Sequence, residues 1–245
     1  MEGDWEVEIG GGAPIIDACW PGLIHLQTAP ERAAELSEAA NLPGLAEALA
    51  RLNGSHSPIW TSKCDVWPIL DATDIDADEL DAPQEEATFA WACYIDLLPH
   101  NGCHDPGALK GRNSGNASDS KGQNPSDAGS LKGRGFSPAE TTISDDGALA
   151  PEGIPTEAAR LIDAAAQWCQ QLRAVPLTHC RADLIMRQAV IAPDQIDHGI
   201  TAYLTACGRT SEEANAALAR TLQAFAHTLC PDSTVEQVPS DFRQR

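Results

Sequence analysis

Six short segments of the chain have the apolar and polar pattern of β-strands, in which side chains point alternately to two faces. The clearest is Trp5–Ile9, where apolar and acidic residues alternate until a run of three glycines ends the segment. The predicted strands are 5–9, 23–26, 60–70, 88–98, 179–191 and 199–207.

Three segments have the spacing of helices. Residues 31–52 form the first, interrupted at Pro43, because proline removes a backbone donor and clashes with the preceding turn. Residues 156–174 form the second, with an apolar stripe at helical spacing. The third begins at Thr210, where Glu213 three residues later completes a capping-box pattern.

Residues 101–153 have a different composition. They are rich in Gly, Ser, Asn, Asp and Pro and nearly free of aromatic residues, so they cannot bury enough apolar surface to offset the entropy of ordering them. We therefore predict a single α+β domain from residues 1–100 and 154–230, interrupted by a disordered insert at 101–153. Residues 231–245 are predicted to be a polar tail.

The order of elements after residue 58 suggests an internal duplication: strand, strand, insert, helix, then strand, strand, helix. Short sequence matches agree with that order, since 63–67 resembles 181–185 and 93–96 resembles 202–205. The predicted fold is a two-layer antiparallel sheet with helices on one face, built from a duplicated strand–strand–helix unit, plus an N-terminal strand and helix.

Strand alternation assigns a face to each residue. The face predicted to lie under the helices is apolar and small: Cys64, Val66, Cys93, Ile95, Ala182, Leu184, Met186, Ala202 and Leu204. The opposite face is polar and aromatic and carries both charge signs. Its predicted ligand-binding residues are Lys63, Asp65, Trp67, Tyr94, Asp96, Arg181, Asp183, Arg187 and Tyr203.

That polar face is the best candidate site in the sequence. Alternating bases and acids beside tyrosines favour a clamp for a zwitterionic or carboxylate ligand. Three other interpretations stay open: cross-strand ion pairs on a solvated face, a face covered by the first strands or the insert, and a homodimer interface, where Tyr, Trp and Arg are favoured.

The net charge of the chain limits the classes of partner that it is expected to bind. The formal net charge is −20, and residues 101–153 account for only −2 of it, so the acidity belongs to the folded part. Such a field repels nucleic acid and anionic membrane surfaces and attracts a cationic ligand or a basic protein patch. Solubility alone is the simpler interpretation of the same charge.

The eight cysteines are scattered without a C-x-x-C pair, which favours free thiols in a reducing compartment. The first residues are acidic rather than basic, and no apolar run is long enough to span a bilayer. We therefore expect a cytoplasmic protein.

Three further sequence patterns resemble a calcium site, a zinc site and a reactive thiol. Asp74, Asp76, Asp78 and Glu85 imitate the spacing of a calcium loop, but Glu79 stands where the loop needs glycine. His100, Cys103 and His104 could ligate zinc, yet no second pair has regular spacing. Cys207 precedes a helix start, where a thiolate would be favoured. No catalytic or nucleotide-binding motif occurs, so neither a metal nor a cofactor is expected.

The sequence thus favours a non-catalytic cytoplasmic binding or accessory protein. It would use the polar sheet face to hold a small charged ligand or a basic protein partner. The alternative is a small-molecule enzyme in which Asp65 or Asp183 acts as general acid or base on the same face.

Overall fold

The computed structural model describes residues 1–18, 20–100, 156–192 and 194–231. The chain divides into two compact units, and the first, residues 1–99 and 155–245, contains every element named below. The predicted insert at 101–153 lies outside the described residues, as do 232–245 of the predicted tail. No helix in the described ranges is long and apolar enough to cross a membrane.

Helices and strands are both present, as the sequence predicted. The strands are β1 (Glu2–Glu8), β2 (Ile16–Asp17), β3 (Ile59–Ile69), β4 (Phe89–Pro99), β5 (Cys180–Ala192) and β6 (Gln195–Gly208). The helices are α1 (Leu45–Leu52), α2 (Thr156–Arg173) and α3 (Ser211–Leu229).

The strands form one sheet in the order β1-β5-β6-β4-β3, with β2 also paired to β5. Strands β3 to β6 are antiparallel to their neighbours, but β1 and β2 run parallel to β5. The sheet is therefore mixed, and the prediction of an antiparallel sheet throughout was wrong. Alternation along a strand indicates which face is buried, but not the direction in which its neighbour runs.

The main core lies between the helices and one face of the sheet. The sheet contributes short and branched side chains, and α3 contributes its apolar stripe, including Phe225, which is fully buried. All nine residues predicted for the helix side lie in this core or pack against it.

The first predicted helix is replaced by three shorter elements. Two 3-10 turns, Pro30–Glu35 and Ser37–Ala40, precede α1, and the break falls at Pro43 and Gly44, with φ of 83° at Gly44. The predicted strand at 23–26 is not formed. The short strand β2 occurs earlier instead, along the edge of β5.

Helix α3 begins as predicted. The hydroxyl of Thr210 accepts a hydrogen bond from the backbone N–H of Glu213 at 3.2 Å. The Glu213 carboxylate accepts from the N–H of Arg209 rather than from that of Thr210, so the capping box is shifted by one residue.

Two chain segments cover the ends of the other sheet face. At one end Ile16 and Ala18 pack against Trp60 and Leu98. At the opposite end the acidic connection between β3 and β4 folds inward: Ile75, Ala77 and Leu80 pack with Ala90 and Cys207. This connection buries these apolar residues and exposes most of its carboxylates. The middle of the face lies between these two covers.

Candidate polar sheet face

One row of side chains crosses the middle of the face. Asp4, Asp183, Tyr203, Tyr94 and Asp65 are register partners on the five successive strands β1, β5, β6, β4 and β3. The row is therefore carboxylate, carboxylate, phenol, phenol, carboxylate. The phenols lie on the two central strands because the sheet register places Tyr94 directly opposite Tyr203.

Three aromatic rings follow one another across this part of the face. The ring centroids of Tyr94 and Tyr203 are 6.1 Å apart, and those of Trp67 and Tyr94 are 6.2 Å apart, all with tilted planes. These separations are within the favourable range for aromatic pairs. Burial, together with the charges of Asp96 and Asp65, raises the pKa of Tyr94 to about 12, so its phenol stays neutral.

Asp183 forms an ion pair with Arg181 of the same strand. The Arg181 Nε donates to its Oδ1 at 2.7 Å, and an Arg181 guanidinium nitrogen also lies 3.8 Å from a Glu79 carboxylate oxygen. Burial raises the pKa of Asp183 above its ordinary value, and the guanidinium of Arg181 opposes that rise. Both residues are half-buried, and the cation is already shared between two carboxylates.

Arg187 lies deeper, with only 8% of its surface exposed. Its guanidinium donates to Glu8 Oε2 at 2.9 and 3.2 Å and to the Tyr203 hydroxyl at 3.1 Å. It also lies 5.6 Å from the Tyr203 ring centroid. Arg187 therefore joins the edge strand β1 to the tyrosine pair.

Asp96 is the most buried carboxylate predicted for the face, at 6% exposure. Its Oδ1 accepts from the Thr201 hydroxyl at 2.6 Å, across the β4–β6 register pair. Burial raises its pKa, while that hydrogen bond and the charges of Lys63 and Arg187 act in the other direction.

Lys63 departs from the position that the duplication predicted. Thr61 lies opposite Leu97 and Cys64 opposite Ile95, so the two residues between them, one of which is Lys63, face a single residue of β4. This β-bulge re-aims the side chain. The Lys63 Nζ lies 5.7 Å from the centroid of the Trp20 ring, and no comparable register shift occurs at Arg181.

Acidic side chains dominate the face. The edge strand β1 places Glu2, Asp4, Glu6 and Glu8 at alternate positions beside β5, and the first three are exposed. Each arginine of the face is already paired with a carboxylate, and Asp65 is exposed. The face therefore combines surplus negative charge with half-buried aromatic rings.

Two cavities lie elsewhere. One, of about 250 Å³, lies where β6 ends and α3 begins, and in it Glu86 pairs with Arg209 and lies 3.6 Å from His179 Nε2. The other, of about 70 Å³, lies beside the bulge of β3. Neither is lined by Asp183 or Asp96.

Within the described residues, no group of three or more His, Cys, Asp or Glu side chains converges as metal ligands do. Asp76 of the calcium-like loop instead accepts from two backbone N–H groups of its own turn. Burial raises the pKa of Cys207 to about 11, which opposes a thiolate there. Cys103 and His104 lie outside the described residues.

The structure adds residues that the sequence did not single out. Glu8 and Thr201 hold Arg187 and Asp96, and Trp20 lies beside Lys63. The alternation of β1 contains a signal for Glu8, because every second residue there is acidic. Nothing in the sequence pairs Thr201 with Asp96, because that contact depends on the register of distant strands.

Comparison of the chain with models of known protein families gave no match, and neither did comparison with curated proteins or with solved structures.

Proposed function

We propose that this chain is a non-catalytic binding protein whose polar sheet face holds a cationic group of a partner. The observation that carries the proposal is the row of two adjacent phenols flanked on both sides by carboxylates. Carboxylates attract a cation, and aromatic rings add cation–π attraction. An ammonium or guanidinium group satisfies both.

The charge balance supports a cation over an anion. Arg181 and Arg187 are neutralised by Asp183, Glu79 and Glu8, so they offer little to an incoming anion. Among the described residues, the exposed carboxylates of β1 and Asp65 have no basic partner within 4.0 Å, apart from Arg173, which lies 3.7 Å from Asp4. An anionic ligand would meet this surplus directly.

The shape supports a basic protein segment more than a single small amine. The row spans five strands, and neither cavity lies on it. A lone amine would meet only one or two of these groups, whereas several basic side chains of one partner gain from many carboxylates at once.

The duplicated strand–strand–helix unit is part of the proposal. The register supports it, since Asp65 lies opposite Tyr94 just as Asp183 lies opposite Tyr203. A cytoplasmic, reducing location is also part of it, and the free state of the six described cysteines supports that. Two copies of one acidic face would repel each other, which argues against a homodimer through this face.

An enzyme using Asp183 as general acid or base is the second candidate. The raised pKa of Asp183 favours it. The guanidinium of Arg181, only 2.7 Å away, and the position outside both cavities favour the binding protein instead.

The test is calorimetric titration of the full chain with a hexa-arginine peptide. Replacing Asp65 and Asp183 with Asn removes two charges from the row, and we expect binding at least about tenfold weaker, a loss of about 1.4 kcal/mol. Glu47→Gln with Glu212→Gln makes the same charge change on exposed helical positions and serves as control. Equal weakening in both pairs would show general attraction to an acidic protein and would refute a site on the face.

A further inference from the structure

A small cavity lies beside the bulge of β3, away from the tyrosine row. Its volume is about 70 Å³, and its wall is mostly apolar, formed by Ile24, Leu26, Leu36 and Leu49. An apolar concavity with a few placed polar groups is the usual form of a small-molecule site.

Ser62 is the first polar residue in the wall of this cavity. Ser62 is 6% exposed, and among the described residues its Oγ is a buried oxygen without any hydrogen-bond partner. An unsatisfied buried hydroxyl costs free energy, and native structures seldom leave one without a ligand or water. The carbonyl of the same residue is satisfied, because the Trp20 indole Nε1 donates to it at 3.2 Å.

Lys63 is the second polar residue in the wall of the cavity. Lys63 lines the same cavity, and it is the only lysine in the chain outside residues 101–153. It contacts the Trp20 ring, and within the described part of the chain it forms no ion pair within 4.0 Å. The bulge thus places a serine and a lysine next to each other in the wall of the cavity.

Glu38 is the third polar group in the wall, and it is an acceptor. Its carboxylate accepts from the adjacent Ser37 hydroxyl at 3.0 Å and is half-buried. Burial and the nearby charge of Glu38 contribute to raising the pKa of the Cys64 thiol to about 12, so Cys64 offers a neutral thiol rather than a nucleophile.

We propose that this cavity binds a small aliphatic amino acid. The Lys63 ammonium and the Ser62 hydroxyl donate to its carboxylate, Glu38 accepts from its ammonium, and the apolar wall packs its side chain. A zwitterion has no net charge, so the charge of −20 does not repel it as it would repel a simple carboxylate. The inference goes beyond the proposed function and concerns a different surface.

The ligand test compares valine, isovalerate and isobutylamine, which share the branched chain and differ in charge, by thermal shift and by NMR titration of the full chain. Valine should bind in the micromolar to millimolar range expected for so few heavy atoms, and at least tenfold more tightly than either analogue. Equal binding of isovalerate would overturn the zwitterion assignment. No response to any of the three would mean that the cavity holds water alone, and would overturn the site.

Two substitutions in the cavity and one control substitution distinguish a loss of ligand binding from a loss of stability. Ser62→Ala and Lys63→Met should each weaken valine at least tenfold, and Ser62→Ala should not lower the melting temperature without ligand. Ser57→Ala is the matched control, since that buried hydroxyl is hydrogen-bonded to Ile59 and lies outside the cavity. It should lower the melting temperature and leave valine affinity unchanged. Unchanged affinity in Ser62→Ala and Lys63→Met would overturn the proposal.

Discussion

Tyr94 and Tyr203 are the only two tyrosines of the chain, and they face each other on the two central strands with ring centroids 6.1 Å apart. Any signal specific to tyrosine therefore reports on the middle of the polar face alone. Arg187 donates a hydrogen bond to the Tyr203 hydroxyl, and the charge of Asp96 contributes to raising the pKa of Tyr94. Both phenols therefore respond to the charged residues around them.

The late ionisation of the Tyr94 phenol should be visible in an ultraviolet absorption titration. Because the pKa of Tyr94 is raised to about 12, its tyrosinate absorbance should develop mainly above about pH 11, and Tyr94→Phe should remove that late part. Circular dichroism at each pH is the control for folding. Full development of the absorbance around the ordinary pKa of about 10 in the folded protein would contradict the environment described for Tyr94.

The buried carboxylate of Asp96 should make stability depend on pH. An acid whose pKa is raised by folding binds more protons in the folded state, so its contribution declines as pH rises from its unfolded pKa through the folded one. Asp96→Asn removes this titration. Measured by urea unfolding, the variant's free energy of unfolding relative to wild type should therefore increase as the pH rises above the unfolded pKa of about 3.9. A pH-independent difference would contradict the raised pKa.

The hydrogen bond from Thr201 to Asp96 should be measurable in stability. Thr201→Val keeps the shape but removes the donor, leaving a buried carboxylate oxygen without it, and should cost about 1–3 kcal/mol. Thr205→Val, four residues along the same strand and on the same face, is the matched control and should stay within about 0.5 kcal/mol of wild type. Similar costs at both positions would indicate a general effect of the substitution.

The pair of Arg187 and Glu8 should anchor the edge strand. A double-mutant cycle with Arg187→Met and Glu8→Gln should give a coupling of about 1–2 kcal/mol, because the guanidinium is largely buried. The exposed pair Arg32–Glu35 is the control and should couple less. Coupling no larger than that of the exposed pair would show that β1 is not held through Arg187.

The packing of Ile16 over one end of the polar sheet face can be tested at Gly199. A Cβ there would lie 2.8 Å from the Ile16 Cδ1 and 2.8 Å from the Leu97 carbonyl oxygen. Gly199→Ala should destabilise by about 1–3 kcal/mol, and Ile16→Ala in the same chain should recover only part of that, because the backbone contact remains. Absence of coupling between Gly199→Ala and Ile16→Ala in a double-mutant cycle would mean that Ile16 does not lie over the sheet there.

The sequence predicted the four antiparallel strands and their faces well, because a half-buried strand must alternate with period two. It placed Asp65, Tyr94, Asp183 and Tyr203 on one face, where the structure has them in one row. It could not place Lys63, since a bulge of one extra residue leaves no trace in the pattern of a single strand. It also missed the parallel pairing of β1, which depends on a contact with β5 nearly 180 residues away.

The acidic connection between β3 and β4 shows a second limit of prediction from the sequence. Its composition indicates a solvated loop, yet the few apolar residues within it, such as Ile75 and Leu80, are buried. Composition averages over a segment, whereas burial depends on individual positions.

The most direct test of a cation-binding face is NMR of the full chain with ¹³C-labelled tyrosine, titrated with the hexa-arginine peptide. Each ring correlation belongs to Tyr94 or Tyr203 and is assigned by Tyr94→Phe. If the peptide binds on the face, both sets of signals should shift and saturate together, and added salt should reverse the shift, because screening weakens the attraction. Tyrosine signals that stay unmoved while the peptide binds would contradict it.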